Sequence, residues 1–548
     1  MRRLRFLLGL VGALALVADG LFAGVPSSAT IDVATEAKAE VVVWPVAERW
    51  SGEGFLPVWV RIENRANEAR TWTFKFKVWT NYQETTEHET SVTMGPREAG
   101  ERVVYVPGNG RAESGRGAWG RVEVEGPGTS IGNGVNFVNQ AGSDPIVSMA
   151  VSAAQESALF VASNGAPGPK AELSVVDPAA WPADWRVWSP FQQVVLTEAE
   201  WSRLDGGRRA ALRDWVLMGG VLQVFANRMG EPRSGPAEER IGFGAIRRSA
   251  LTLEAEEKVK TGFVELSELV QMHPEALMPM SLPPELKLTT GRLGVSLFLV
   301  VFGILVGPIN LFVFAPAGRR QRLFLTVPTL SLAASVLLVV YIVVKDGFGG
   351  EGMQRGLVVL VPASNQAVVA QQQMSRTGVL LGAQFALPAA VVLTQITDTS
   401  IGATGDQNQN AAYSRSEDGA SGDWFKSRRV QKQSVRQLVP TRARVERVAG
   451  GGGPDAPPVV QSTVATKLKA FQYRDRDGVL WVADELEPGR RVSLKRSVVD
   501  GGLPLAAGEF SALGGAAEGL APIATHAAIR WREPVFVYCG PVMEARTP

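Results

Sequence analysis

Two apolar runs constrain this chain more than any other feature. Leu293–Ala315 has 23 residues and Leu323–Val344 has 22, and neither holds a charge. A helix needs about 20 such residues to cross roughly 30 Å of hydrocarbon. The link between them, Pro316 to Arg322, is too short for a domain. The pair therefore reads as a transmembrane hairpin. Arg319, Arg320 and Arg322 in the link should keep the turn cytoplasmic, because basic loops resist export. The start of the chain points the same way. Arg2, Arg3 and Arg5 precede an apolar run from Phe6 to Ala18, the pattern of a secretory signal peptide ending near Ala23 or Ala29. The expected topology is that of a bacterial inner (cytoplasmic) membrane protein with two spans. Residues of about 30–290 and 346–548 would be extracytoplasmic.

Composition narrows function by exclusion. Lys plus Arg is 56 and Asp plus Glu is 54, a net charge of +2. Nucleic-acid binders carry a clearer basic excess, so the bilayer and an envelope or membrane protein are the expected partners, with no nucleic acid. One cysteine and three histidines exclude an intrachain disulfide and leave little for a zinc cluster. A P-loop, HExxH, an EF-hand loop, GxSxG and a CxxC pair are all missing. No catalytic residue, metal or cofactor is expected.

Between residues 30 and 150 the hydropathy has period two. Val58, Val60 and Ile62 alternate with Trp59, Arg61 and Glu63; Trp72, Phe74, Phe76 and Val78 alternate with Thr73, Lys75, Lys77 and Trp79. Short strands without intervening helices read as a β-sandwich. Trp59 and Trp79 fall on the outward side, where they meet a sugar or pack against a neighbouring domain.

From 151 to 280 the period changes. Short apolar strands at Ala158–Ala162 and Gln193–Leu196 lead to Thr197-Glu198-Ala199-Glu200, a capping box. A helix with Ala211, Leu212, Trp215 and Val216 on one side follows. Gly219-Gly220 ends it, and Val221–Ala226 is a buried strand. This is an α/β unit with a parallel sheet. The stretch Trp181–Ala226, with RRAALRDWV from Arg208, then the glycine pair and the buried strand, resembles the flavodoxin-like, class I glutamine amidotransferase-like domain of bacterial membrane-anchored proteins. The hairpin, with Gly307-Pro308-Ile309-Asn310 before the basic turn and Thr326-Val327-Pro328 after it, is similar to that group too. The likeness covers roughly 155–345 and implies a fold more than an activity. Amidotransferases use a nucleophilic Cys with a His; this domain has no Cys, and His273 lies past the matching core.

Three candidate sites remain. Asp177 and Asp184 flank a loop with Trp181, Trp185 and Trp188, placed where open α/β sheets bind ligands; the alternative is capping and packing. Asn310 and Thr326 have similar depths in the two spans and should hydrogen-bond as a hairpin lock; the alternative, a transport site, usually carries ionisable residues, and the spans have none. Lys426, Arg428, Arg429, Lys432 and Arg436 form a basic patch, read either as a solvated helix and strand or as a contact for anionic headgroups. The region 346–548 is expected to be mainly β, with flexible loops near 397–422 and 449–458. Cys539 in its apolar strand is a buried small residue, an intermolecular disulfide partner or a nucleophile, with His526 nearest in sequence. The function expected is a non-catalytic binding or scaffolding component of the cell envelope. The alternatives are an accessory subunit of a transporter, or an envelope hydrolase or transferase using the carboxylates of the middle domain.

Overall fold

The computed structural model describes residues 29–151, 171–251, 292–396, 411–448, 456–497 and 505–545, apart from short stretches inside those ranges. The expected signal peptide, the strand at 158–162 and His273 lie outside the described residues.

Alternation builds the first unit. Ala29–Ile31, Ala39–Pro45, Phe55–Asn64 and Ala99–Pro107 form an antiparallel sheet. Val58, Val60 and Ile62 project from it and are fully buried. They meet Trp72, Phe74 and Phe76, equally buried, from a second sheet containing Arg70–Thr80, Glu84–Met94, Ala118–Glu125 and Gly134–Val138. Each such side chain contributes roughly 1.5–3 kcal/mol by leaving water. Lys75 and Lys77 take the solvent side, beside Glu125, Glu87 and Glu123; ion pairs so exposed contribute at most about 1 kcal/mol.

The middle unit is a six-stranded sheet in the order Ala171–Val175, Val147–Val151, Gln193–Thr197, Val221–Met229, Gly244–Leu251, Glu238–Ile241. All neighbours are parallel except the last pair. Helix α1, Glu198–Arg203, starts at the capping box: the Glu200 amide donates to Thr197 Oγ1, and Glu200 Oε2 accepts from the Thr197 amide at 2.8 Å. Helix α2, Gly206–Leu217, is capped by Asp205 and buries Ala211, Leu212, Trp215 and Val216. Its end is a Schellman motif. Gly219 takes φ +121°, its amide donates to Val216 O, and the Gly220 amide donates to Trp215 O. A Cβ on Gly220 would lie 2.2 Å from the Trp215 ring, so that position needs glycine.

The third unit follows the hairpin. Its thirteen-stranded sheet runs through Val392–Gln395, Val430–Pro440, Gln366–Thr377, Gly350–Val361, Val535–Glu544, Glu509–Gly514 and Leu468–Arg474. Val358, Leu360, Phe471, Phe510, Phe536 and Tyr538 fill its main core. Two expectations are corrected here. The 424–447 stretch has no helix among its described residues: a turn leads directly into the strand Val430–Pro440. The described part of the expected loop near 397–422 is strand, Ala411–Arg415 and Gly419–Gly422. Ala411, Tyr413 and Arg415 are buried and alternate with exposed residues, so the segment has a true inner face.

That segment also ties the molecule together. Ala411–Arg415 runs parallel to Glu84–His88 and, with Gly419–Gly422 and Phe385–Ala386 beyond it, extends the second sheet of the first unit to seven strands. Chain from beyond the hairpin thus completes a sheet from before it. Both ends of the hairpin must emerge on the same side of the bilayer, the side of the bulky extramembrane body.

The hairpin has membrane-length segments at Ser296–Phe314 and Arg320–Tyr341, with almost all of their surface turned outward. Helix α3, Arg292–Ile304, widens into a π-helix over Leu305–Phe314. Pro308 lies within it, has no N–H to donate and would crowd the preceding turn of an α-helix. Helix α4, Leu323–Asp346, forms the return span.

Candidate functional site

A cleft of about 1290 Å³ opens where the three extramembrane units meet. The first unit supplies Glu53 and Gly54. The middle unit supplies Trp185, Trp201, Arg213 and Asp214; the third supplies Gln366, Arg436 and Cys539. Phe55, Leu217, Met218, Val368 and Val392 pack as one apolar cluster drawn from all three units, and Leu217, Met218 and Val392 of it line the cleft.

Its polar side chains join the units. Arg436 pairs with Glu53 and also donates to Met218 O at 3.2 Å. Gln366 Nε2 donates to Asp214 Oδ1 at 3.0 Å. Burial holds the Asp214 carboxyl above its ordinary range, the Gln366 bond opposes that rise, and the nearby Asp184 charge adds to it. Cys539 is among the residues that line the cleft. Burial, then the charge of Glu509, pushes its thiol up to about 12, far from a reactive thiolate.

The tryptophan loop packs against the first unit beside this cleft. Trp181 stacks on Trp188 at 4.4 Å, and both rings are buried with Phe191 and Trp215. Trp185 meets Phe55 edge-on at 5.7 Å. Asp184 caps the short 3-10 turn Trp185–Trp188 and pairs with Arg186 at 2.7 Å, and the Arg186 guanidinium lies 4.0 Å from the centre of the Tyr105 ring. Asp177 accepts from the Ala179 amide within its own turn. Of the five loop residues, only Trp185 lines the cleft. Trp59 stacks on Trp44 at 6.3 Å and packs against the middle unit's core, so its outward position meets a neighbouring domain.

The other sequence-derived sites are distributed differently. Thr326 Oγ1 donates to Arg322 O at 3.0 Å in its own helix, while both side-chain amide atoms of the fully buried Asn310 lack a hydrogen-bond partner among the described residues. The structure does not join them. Arg436 lies in the cleft, apart from Lys426, Arg428 and Arg429, which cluster in the turn before its strand; Lys432 lies on that strand. Sequence reasoning missed Glu53, Asp214 and Gln366. Asp214 beside Trp215 on an otherwise standard helix face was the only local signal. Nothing in the sequence links Glu53 to Arg436, 383 positions apart. Among the described residues, no three His, Cys, Asp or Glu side chains gather as a metal site.

No family model and no curated protein matches this chain. Among solved structures, a Paenibacillus sp. cycloisomaltooligosaccharide glucanotransferase complexed with cycloisomaltoheptaose is 12% identical over 36% of this chain, with a TM-score of 0.18. The match spans 27% of that chain's own length. A Northeast Structural Genomics Consortium target is 14% identical over 20% of this chain and 85% of its own, with a TM-score of 0.12. At such scores neither likeness bears on function.

Proposed function

We propose that this chain is a binding or scaffolding component of the bacterial cell envelope without catalysis of its own. The hairpin holds it in the inner membrane, with its three units on the extracytoplasmic side and the arginine turn in the cytoplasm. The cleft carries this reading. About 1290 Å³ exceeds the roughly 300–1,000 Å³ of small-molecule pockets and fits an extended protein or glycan segment. Half-buried Trp185 and Trp201 and exposed Arg213 offer it stacking and charge.

The domain identities follow the same line. The facing sheets of the first unit support a β-sandwich. Among the described residues of the middle unit the first four strands in sequence stand in the order second, first, third, fourth, as flavodoxin-like folds arrange them. That order supports the degenerate amidotransferase-like reading, with the chain's single cysteine on another unit.

A photocrosslinking residue at Arg213, in cells producing the full chain, tests the proposal. An envelope protein or glycan adduct is expected that a crosslinker at exposed Met543 does not give. Self-crosslinks alone would remove it. A second reading, an envelope hydrolase or transferase, moves from Asp177 and Asp184 to Asp214, whose raised carboxyl faces the cleft as a general acid would. An Asp214→Asn chain with undiminished function in cells would exclude it.

A further inference from the structure

Three turns meet where the second span leaves the bilayer. Helix α4 has 24 residues and so is roughly 36 Å long, more than the hydrocarbon thickness. Its end therefore reaches the headgroup layer. There Gly347 and Gly349 take φ +73° and +79°, a region open to glycine, and thrust Phe348 outward, 66% exposed. The adjoining turn carries Leu381, 77% exposed, before Gly382. The third turn carries Lys426, Ser427, Arg428 and Arg429.

Hydrogen bonds fuse these turns into one rim. The Val379 amide donates to Gly347 O at 2.9 Å and the Gly378 amide to Gly349 O at 2.7 Å. The Arg428 amide donates to Gly378 O at 2.9 Å, and the Leu380 amide to Ser427 Oγ at 3.0 Å. Arg428 is exposed and sits at φ +59°, where a residue with a Cβ is strained and glycine is not. Among the described residues, Asp423 lies 3.4 Å from Lys426, and Glu351 pairs with Arg530.

We infer that this rim seats the body on the membrane. Phe348 and Leu381 enter the interfacial layer, and Lys426, Arg428 and Arg429 meet anionic phospholipid headgroups. Continuity with the span and the charge of the rim identify the occupant as lipid. The inference rests on the two-span topology and is independent of what the cleft binds.

The test uses the full chain in nanodiscs of phosphatidylcholine, with or without phosphatidylglycerol. A nitroxide is attached at Leu381→Cys, and immersion is read from oxygen against aqueous nickel-chelate collisions. The unsubstituted chain, treated alike, sets the background from Cys539. The label should lie in the interface and sink further with phosphatidylglycerol, while one at Leu513→Cys stays in water. Arg428→Gly should lower the preference for the anionic lipid about fivefold, the effect of one basic residue near a charged surface. The same variant should keep or raise the unfolding midpoint, since glycine suits that backbone. A Leu381 label as water-exposed as that at Leu513 in both lipids would overturn the inference. Equal immersion in both lipids, unmoved by Arg428→Gly, would overturn the headgroup assignment.

Discussion

Two of the seams that join the regions before and after the hairpin are built on opposite principles. The strand seam pairs Ala411–Arg415 with Glu84–His88 through backbone hydrogen bonds and buries what it covers. Tyr413 and Trp424 are nearly inaccessible there, and His88 Nδ1 lies 3.0 Å from Arg415 O. Arg415 itself is 3% exposed, bonds Val391 O through one nitrogen, and is pulled down to about 10 by burial. The cleft seam instead relies on side chains, Arg436 with Glu53 and Gln366 with Asp214, around an opening. A backbone seam fixes register and tolerates change at its exposed positions. A side-chain seam can loosen without unfolding either sheet, which suits the wall of a binding cleft.

The largest predicted effect separates the two. Ser414 is exposed, yet its strand lies between two others, so its backbone is committed to the ladder. Ser414→Pro removes an N–H from a strand flanked on both sides and should cost about 3 kcal/mol, the upper end for a backbone group left unpaired. Hydrogen exchange should then accelerate across Glu84–His88 and leave the α2 amides protected. Equal acceleration in both would mean that the seams are not separable. Next in size is Glu53→Gln. The pair with Arg436 is about 15% exposed, and opening it strands a partly desolvated guanidinium, for a loss of roughly 2 kcal/mol. Glu53→Leu with Arg436→Leu should recover most of that loss in thermal unfolding. If the double variant is as unstable as the single one, the seam depends on charge and not on filling the junction.

The seams also differ in how far the sequence reveals them. Helices α1 and α2 are legible because a capping box, a 3.6-residue stripe and a Gly-Gly stop are local signals. The facing sheets of the first unit are legible because a buried face imposes period two. The strand Ala411–Arg415 is not, since its inner positions are Ala411, Tyr413 and Arg415. An inward arginine breaks the hydrophobic pattern, and its partner strand is over 300 positions away in sequence. Asn310 and Thr326 fail for a geometric reason. Depth along a span follows from counting residues, but azimuth does not, and the π-helical turn after Ile304 re-aims Asn310. The cleft was half visible: Trp185 and Arg436 were singled out for other reasons, while their neighbours came from three separate parts of the chain.

Acid should act on the seams in opposite directions. Burial holds the His88 imidazole below its ordinary 6.5, partly offset by the Arg415 carbonyl. The folded state therefore binds fewer protons there than the unfolded chain. The stability this contributes is present above pH 6.5 and is lost as the pH falls through the folded value. Exchange across Glu84–His88 should quicken below that point, and His88→Gln should flatten the dependence.

Asp214 gives the smallest effect, with the reverse sign. Its folded carboxyl titrates above the ordinary 3.8, so the folded state holds the proton more tightly than the unfolded one. That contribution is complete below pH 3.8 and disappears as the pH rises through the folded value. The side chain is only half-buried, and the Gln366 amide already stabilises its charge, so the change is smaller than that from His88. Amides at the C-terminal end of α2 should thus become better protected as the pH falls through the folded Asp214 value towards 3.8. Asp214→Asn should abolish the trend without altering that of Glu84–His88. If both segments weakened together in acid and Asp214→Asn changed neither, the side-chain seam would have no titration of its own. The cleft would then open only when the strand seam does.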